Sequence, residues 1–390
     1  MMRVAIDGRA LQPGYREHHG RGIGVYAVEL LRALARRGGL DLTVWYQPEL
    51  PLPDAHVPAG VARRAFPRLA LPMRDRVATH TTVSAAVNAS RHDVFHFLAH
   101  GDAPFLGGQR VVVTVHDLIL EVMAGAYNGG GSPGYRVSRA LERSAVVRAA
   151  AVITDSAVTR EDVMARYGLP AGRVHVAHLG LHPRFAPQPP KVITALCERL
   201  GLCRPYVLYL GGIDARKDVP GLLRAWSAVR EIPGEPMELV IAGRVQGASD
   251  FPALAAVARE LDVEASVRYP GHVPDEDLPA LYAGARVFAF PSRYEGFGFP
   301  PLEAMACGTP VVSTDGGSLR EVLGDAALVV PAGDHDAFTR ALARALGDEA
   351  LRHDLAWRGP VHAARFTWER TAELTVAAYR DAVSDRDRAR

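Results

Sequence analysis

Two glutamates, Glu295 and Glu303, flank a loop with glycines at 296 and 298 and prolines at 300 and 301. Carboxylates are poor partners for phosphate and good acceptors for hydroxyls. Glycines let backbone amides approach a ligand closely. A helix opening at Pro301 would present its positive end to an anion. Together these features fit a ligand that carries both hydroxyls and phosphate. The plain structural alternative places Glu303 in the first helical turn, offsetting the helix dipole, and leaves Glu295 as a solvated loop charge. Arg216 and Lys217 are the second candidate. A rigid guanidinium fork beside a compact ammonium can neutralise charge gathering on a departing diphosphate, although adjacent basic residues ahead of a helix are also common on surfaces.

The amino-terminal half carries weaker signals. Gly20-Arg21-Gly22-Ile23-Gly24 before a helix looks like a phosphate-side glycine loop. The next strand, however, ends Val44-Trp45-Tyr46-Gln47, without the acidic residue that reads a dinucleotide ribose, so a tight turn explains the glycines equally well. His116-Asp117 closes the apolar run Val111–Val115. His116 can donate to a sugar hydroxyl or to a backbone oxygen, and Asp117 can fix the neighbouring loop. A histidine satisfied within the protein is the alternative. Asp155-Ser156 follows the next core run, and Ser156 is assigned as a helix cap.

These residues need a scaffold, and the apolar pattern supplies one. Short apolar runs at 4–6, 42–46, 94–98, 111–115, 151–154 and 175–177 alternate with helix-like stretches at 24–37 and 133–149. Such alternation without hairpin turns indicates a parallel sheet covered on both faces. The pattern breaks at 182–190, where prolines crowd the chain. It restarts with strands expected at 206–210, 238–242, 267–269, 287–290, 311–313 and 327–330. Helices are expected at 219–230, 251–260, 277–282, 301–307 and 319–322. The expected organisation is therefore an α/β chain with domains at 1–182 and 206–365, a linker and entry at 183–205, and a final helical segment at 366–390. In open parallel sheets, ligands gather at the carboxyl ends of the strands.

Composition excludes little beyond disorder. Apolar residues make up 48% of the chain and charged residues 23%, with 45 Lys plus Arg against 43 Asp plus Glu. This near balance provides no overall field for nucleic acid. The cysteines Cys197, Cys203 and Cys307 have neither metal-like spacing nor an even disulfide framework, fit a reducing compartment, and read as small buried side chains. No apolar run approaches the roughly 20 residues that cross a bilayer. A basic stretch from Arg63 to Arg76 reads as a solvated loop and helix start, with a membrane-facing patch as the alternative.

The chain resembles the retaining glycosyltransferases of family four. The resemblance is carried by Pro291-Ser292, Glu295 through Pro310 with Gly296-Phe297-Gly298 inside, Gly22-Ile23-Gly24, His116-Asp117, Arg216-Lys217, Gly271-His272-Val273 and Gly316 through Val322, all in family order. It implies the GT-B fold: two facing Rossmann-like domains with a C-terminal crossover helix. The second domain would hold most of a nucleotide-sugar, and the first most of a saccharide, lipid-linked or small-molecule acceptor.

By this resemblance, Glu303 would bind ribose hydroxyls and Glu295 hexose hydroxyls, with backbone amides of Phe297 and Gly298 nearby. Arg216 and Lys217 would stabilise the diphosphate, and His116 would contact the hexose near the reacting face. The loop bearing Gly22 and Gly24 would close over phosphates or line the acceptor site, and His272 and Val273 would touch the base. Many relatives carry an arginine at the position of Gly212, so here Arg216 and Lys217, or Arg21, must take up that charge. No metal cofactor is expected, because the motif lacks an aspartate pair placed for a diphosphate-bound cation. The run from Glu295 through Val322 resembles bacterial mannosyltransferases of surface-polysaccharide assembly and favours GDP-mannose. UDP-glucose and UDP-N-acetylglucosamine fit the same chemistry. The expected setting is cytoplasmic, at the inner face of the membrane if the basic stretch engages lipid. A glucan-synthase-like enzyme and a non-catalytic nucleotide-sugar-binding protein are the competing readings.

Overall fold

A computed structural model describes residues 1–16, 22–67, 76–105, 110–125, 133–232 and 234–388. The chain divides into two units, one formed by Met1–Gly180 with Thr367–Arg390 and the other by Leu181–Phe366.

The first unit runs β1 (Met2–Asp7), α1 (Gly22–Arg37), β2 (Leu40–Tyr46), β3 (Ala62–Ala65), α2 (Arg76–Ala89), β4 (Val94–Phe97), β5 (Val111–Val115), α3 (Ile119–Val122), α4 (Pro133–Arg148), β6 (Ala151–Thr154), α5 (Ala157–Tyr167) and β7 (Val174–Val176). Among the described residues its sheet has the order β3-β2-β1-β4-β5-β6-β7. The recorded pairings are parallel, as at Ile6 opposite Val44 and His96. Val4, Phe95, Phe97, Val113 and Val152 are fully buried, as expected for strands covered on both faces.

The second unit runs α6 (Pro190–Leu200), β8 (Tyr206–Leu210), α7 (Val219–Val229), β9 (Glu238–Ala242), α8 (Phe251–Glu260), β10 (Val267–Gly271), α9 (Leu278–Ala283), β11 (Val287–Phe290), α10 (Phe299–Ala306), β12 (Val311–Thr314), α11 (Leu319–Leu323), β13 (Leu328–Val330), α12 (His335–Gly347) and α13 (Glu349–Ala363). Its sheet, β10-β9-β8-β11-β12-β13, repeats the arrangement of the first. In each unit the strand order reverses beside the first strand, at β1/β4 and at β8/β11. A crevice opens at such a reversal outside the carboxyl ends of the strands.

The chain then returns to the first unit as α14 (Trp368–Arg388), which packs on α1 and β6. Tyr379 and Nδ1 of His96 are hydrogen bonded at 2.7 Å, and Nε2 of His96 meets the Thr114 hydroxyl at 2.8 Å. That hydroxyl in turn meets Tyr26 at 2.8 Å. Burial pushes the His96 pKa down to about 3, so the ring is neutral within this chain of hydroxyls.

The segment 183–205 is part of the second unit and carries helix α6, which packs against α9. Pro190 stands at its first position, where the missing N–H costs nothing, so the proline cluster opens a helix as well as a connection. The helices α12 and α13 and the edge strand β3 were not anticipated. The part of the basic stretch at 68–75 lies outside the described residues, as does Arg21. Before it, β3 exposes all four residues, with Arg63 paired to Asp54 and Arg64 lying over the Trp45 ring. Cys307 is buried and Cys197 partly so, but Cys203 is exposed rather than buried. No described helix is long and apolar enough to cross a membrane.

Candidate functional site

The second unit concentrates the candidate residues at its strand-order reversal. After β8, Gly211-Gly212-Ile213-Asp214 leads into a short 3-10 turn, Ala215–Lys217. After β11 comes the loop from Pro291 to Gly298. Oε1 of Glu295 accepts from Nη1 of Arg216 at 2.7 Å, from Nζ of Lys217 at 2.7 Å and from the Ser292 hydroxyl at 2.5 Å. Nε of Arg216 also lies 3.3 Å from Oδ1 of Asp214, so the two cations stand against two carboxylates and their charges balance within the cluster. Lys217 also lies 4.7 Å from the Phe290 ring centroid, a favourable placement for a cation over an aromatic face.

The electrostatics follow from burial and pairing. Burial works against the Glu295 carboxylate, but Lys217, Arg216 and Ser292 outweigh it and hold its pKa below the ordinary carboxylate range. Burial, with Arg216 beside it, lowers the Lys217 pKa by more than Glu295 and Asp214 restore. Both directions express the same fact: these charges are kept out of water and depend on each other.

The Glu295 loop is held by its neighbours at close range. Its backbone N–H donates to Gly316 at 3.2 Å, and its carbonyl accepts from the Ser318 amide at 3.0 Å and the Ser318 hydroxyl at 3.1 Å. The Ser318 hydroxyl also reaches the Phe297 carbonyl at 2.9 Å. Gly317 has φ +64°, and a Cβ there would stand 2.3 Å from the Glu295 carbonyl, so only glycine permits this approach. The Arg293 amide donates to the Arg216 carbonyl at 2.6 Å, joining the two loops directly.

Helix α10 begins at Phe299, two residues earlier than expected, with Gly298 at φ +101° as its cap. Glu303 therefore lies beyond the first turn, and Pro300 and Pro301 fall within it. Since proline has no N–H, the amides available at that end are those of Gly298 and Phe299, a narrower donor set than the sequence suggested. Glu303 does not serve the helix dipole. Its Oε2 accepts from the Tyr282 hydroxyl at 2.7 Å, and burial raises its pKa from an ordinary 4.5 to about 7.

Phe297 is buried against Phe299 and Phe366, so any ligand contact falls to its backbone. Val273 is buried while His272 is exposed. At Gly212 an added Cβ would meet only Asp214, at 3.5 Å, so the site has room for a side chain that this sequence omits.

In the first unit, Nδ1 of His116 meets Oδ2 of Asp155 at 2.6 Å, and Nε2 faces the Leu98 carbonyl at 2.8 Å, an acceptor to which it must donate. Tyr26 packs edge-on against the ring at 4.8 Å. Burial opposes the imidazolium, yet Asp155, the Leu98 carbonyl and Asp117 outweigh it and raise the His116 pKa above its ordinary value. Both ring nitrogens thus have protein partners, the satisfied arrangement that the sequence left open. Asp117 accepts from the Ile119 amide at 3.0 Å and so fixes the following turn. Ser156 caps α5 by accepting from Thr159. Gly22 and Gly24 lie within the first turn of α1, with Gly22 exposed and Gly24 buried.

The sequence presents Ser292 only as part of a motif and gives no sign of Tyr282. A hydroxyl three residues ahead of Glu295, at the end of a buried strand, was the available signal for the first. The second is a through-space contact from α9 that no spacing reveals. Among the described residues, no group of three or more His, Cys, Asp or Glu side chains is gathered as a metal site.

Comparison with known proteins identifies the family. Residues 20–185 match the family described as Glycosyltransferase Family 4, and residues 200–361 the one described as Glycosyl transferases group 1. O-antigen chain mannosyltransferase B of Escherichia coli is 34% identical over 294 residues, covering 74% of this chain and 75% of that protein. The chain belongs to glycosyltransferase family 4. Alpha-maltose-1-phosphate synthase of Mycolicibacterium smegmatis is 33% identical, covering 97% of this chain and 99% of that one. Among solved structures, sucrose-phosphate synthase from Thermosynechococcus elongatus has a TM-score of 0.75 at 22% identity, covering 99% of this chain and 100% of that one. That likeness carries the fold: two parallel-sheet, Rossmann-like units of the GT-B type. This family 4 glycosyltransferase moves a sugar from a nucleotide-sugar donor.

Proposed function

We propose that this glycosyltransferase is a retaining hexosyltransferase that uses GDP-mannose and transfers mannose to a lipid-linked saccharide. The observation carrying the reading is the convergence of Arg216, Lys217 and Ser292 on one oxygen of Glu295, which fixes two cations and a hydroxyl at the carboxyl end of β8 and β11. Charge on the diphosphate grows as the bond to the anomeric carbon breaks, and fixed cations act most strongly on that developing charge. With Oε1 of Glu295 committed to protein donors, we assign Oε2 to hexose hydroxyls and the Glu303 carboxylate to the ribose.

No carboxylate is assigned as a covalent nucleophile. Retention follows if the acceptor hydroxyl attacks from the face that the diphosphate leaves, with a phosphate oxygen taking its proton as the new bond forms. We assign no metal to this reaction, since the two cations supply the neutralisation. The GDP-mannose assignment is supported by the likeness to the O-antigen mannosyltransferase of Escherichia coli, and the acceptor assignment by the same relative. The deciding experiment offers GDP-mannose, UDP-glucose and UDP-N-acetylglucosamine to purified protein and follows sugar release, thermal shift and anomeric configuration, with and without chelator. Preference for a UDP-sugar would replace the donor, an inverted product would remove the retaining assignment, and loss of activity restored by a divalent ion would remove the metal-free one.

A further inference from the structure

Asp218 directly follows Lys217 and has φ 47°, ψ 41°, a left-handed conformation that side-chain-bearing residues rarely adopt. It also stands at the N-cap of α7, where an aspartate side chain normally accepts a backbone amide of the first turn. Here it makes no such bond. Its Oδ2 instead lies 2.8 Å from Nε2 of His335, 117 residues along the chain, and 3.7 Å from Nε of Arg293. One residue thus accepts an unfavourable backbone conformation and gives up a favourable cap, both at the position next to the cation pair. Backbone strain concentrated in this way points to a functional constraint.

The surroundings are built for the contact. A Cβ on Gly221 would stand 2.9 Å from Oδ1 of Asp218 and 3.0 Å from Nε2 of His335, so glycine in the first turn of α7 leaves the space in which the two meet. His335 is the first residue of α12, whose amino end is fixed by Asp334 accepting from Ala337 at 2.8 Å. Arg293, the other neighbour of Oδ2, bonds through its amide to the Arg216 carbonyl at 2.6 Å. Stability alone does not account for the arrangement, since the side chains of His335 and Arg293 are 45% and 49% exposed, and ion pairs that open to water contribute little.

We infer that Asp218 and His335 are a positioning pair that fixes where Arg216 and Lys217 stand, with α12 as the anchor. The inference rests on the phosphate role proposed above for those two cations. Glu295 holds the cations from the loop after β11, and His335, through Asp218, holds the turn that carries them. Neither Asp218 nor His335 touches the donor in this scheme. The pair acts through the cations.

The test uses Asp218→Gly, which keeps the left-handed backbone without strain but removes the carboxylate, together with His335→Ala, the double variant and His335→Asn. Sugar release is measured with GDP-mannose and UDP-glucose, and melting temperature is measured in parallel. Asp218→Gly and His335→Ala are each expected to lower kcat about tenfold at nearly unchanged donor KM, the scale on which small misplacements of reacting groups are felt. Asp218→Gly should not lower the melting temperature, the double variant should be no worse than either single one, and His335→Asn should recover activity through its amide donor. Wild-type kcat in Asp218→Gly, or losses that multiply in the double variant, would overturn the pair. Lys217→Ala run alongside separates the two readings. Normal turnover there removes the phosphate role and this inference with it, whereas a loss there with normal Asp218→Gly removes only the inference.

Discussion

Nζ of Lys217 lies 2.7 Å from Oε1 of Glu295, and both side chains are buried. The expected phosphate-binding cation is therefore also one half of a buried ion pair. Removing one partner of such a pair leaves the other charge without full compensation.

Lys217→Ala should accordingly do two things. Stability should fall by about 2–3 kcal/mol, less than for an isolated pair because Arg216 and Ser292 remain on Glu295. Turnover should fall by about 100-fold or more, the cost of removing a preorganised stabiliser of developing charge. Thermal unfolding and steady-state sugar release on the same samples separate the effects. A loss of turnover that merely tracks the unfolded fraction would assign Lys217 to structure alone.

Glu303 predicts a pH signature. Its pKa is about 7 in the folded protein against an ordinary 4.5, so the native state keeps this proton longer than the unfolded chain does. Stability from this group therefore declines as pH rises from about 4.5 to about 7, then levels off. Glu303→Gln should flatten that part of the curve. Because ribose hydroxyls favour the ionised acceptor, GDP-mannose, whose diphosphate does not titrate in this range, should bind more tightly as pH rises through about 7. Weaker binding over that interval would remove Glu303 from the ribose.

Gly317→Ala tests how the Glu295 loop is held. The new Cβ would stand 2.3 Å from the Glu295 carbonyl, at a φ of +64°. We expect a loss of at least about 2 kcal/mol, with turnover falling beyond what the unfolded fraction explains. A fully active, stable variant would show that the 316–318 segment does not position Glu295.

His116 and Asp155 form a similar test in the first unit. Asp155→Asn removes the charge that raises the His116 pKa, so the imidazole should titrate lower, as read by its ring nitrogen chemical shifts. His116 contributes stability that is present below the ordinary histidine pKa and lost as pH rises through the raised one, while burial raises the Asp155 pKa, so that carboxyl weakens the fold as pH rises above the ordinary aspartate value. An unchanged His116 titration would mean that Asp155 does not control its proton.

Tyr379→Phe removes the hydroxyl that meets His96. A melting-temperature loss equivalent to about 1–2 kcal/mol is expected, with kcat unchanged, since the contact ties α14 to the sheet rather than to the donor loops. A change in kcat without a stability loss would reverse that assignment.

The sequence made the scaffold legible where burial is two-sided. The strands 111–115, 151–154, 206–210, 238–242 and 287–290 have the expected ends because continuous apolar runs leave little choice of boundary. Strand β3, Ala-Arg-Arg-Ala, is an exposed edge strand and carries no apolar pattern to read. Helix α6 was hidden by its opening prolines, and α13 carries Pro360 in its interior. The motif residues of the site were readable by type and spacing, but their partners were not. Neither the meeting of Arg216 and Lys217 with Glu295 nor the Asp218–His335 pair leaves a trace in local spacing, because each joins segments that meet only after the sheet has formed.

Because the amide of Leu181 donates to the Phe366 carbonyl at 2.9 Å, the second unit begins and ends at points one hydrogen bond apart. It is therefore an insertion within the first unit, whose own ends at Gly180 and Thr367 pack so tightly that a Cβ on Gly180 would stand 2.6 Å from the Thr367 backbone. A cassette bounded in this way can be lifted out and replaced by a related one with two short splices. Chimaeras that exchange 181–366 between family members thus offer a direct route to assigning donor choice to one piece of chain and acceptor choice to the other.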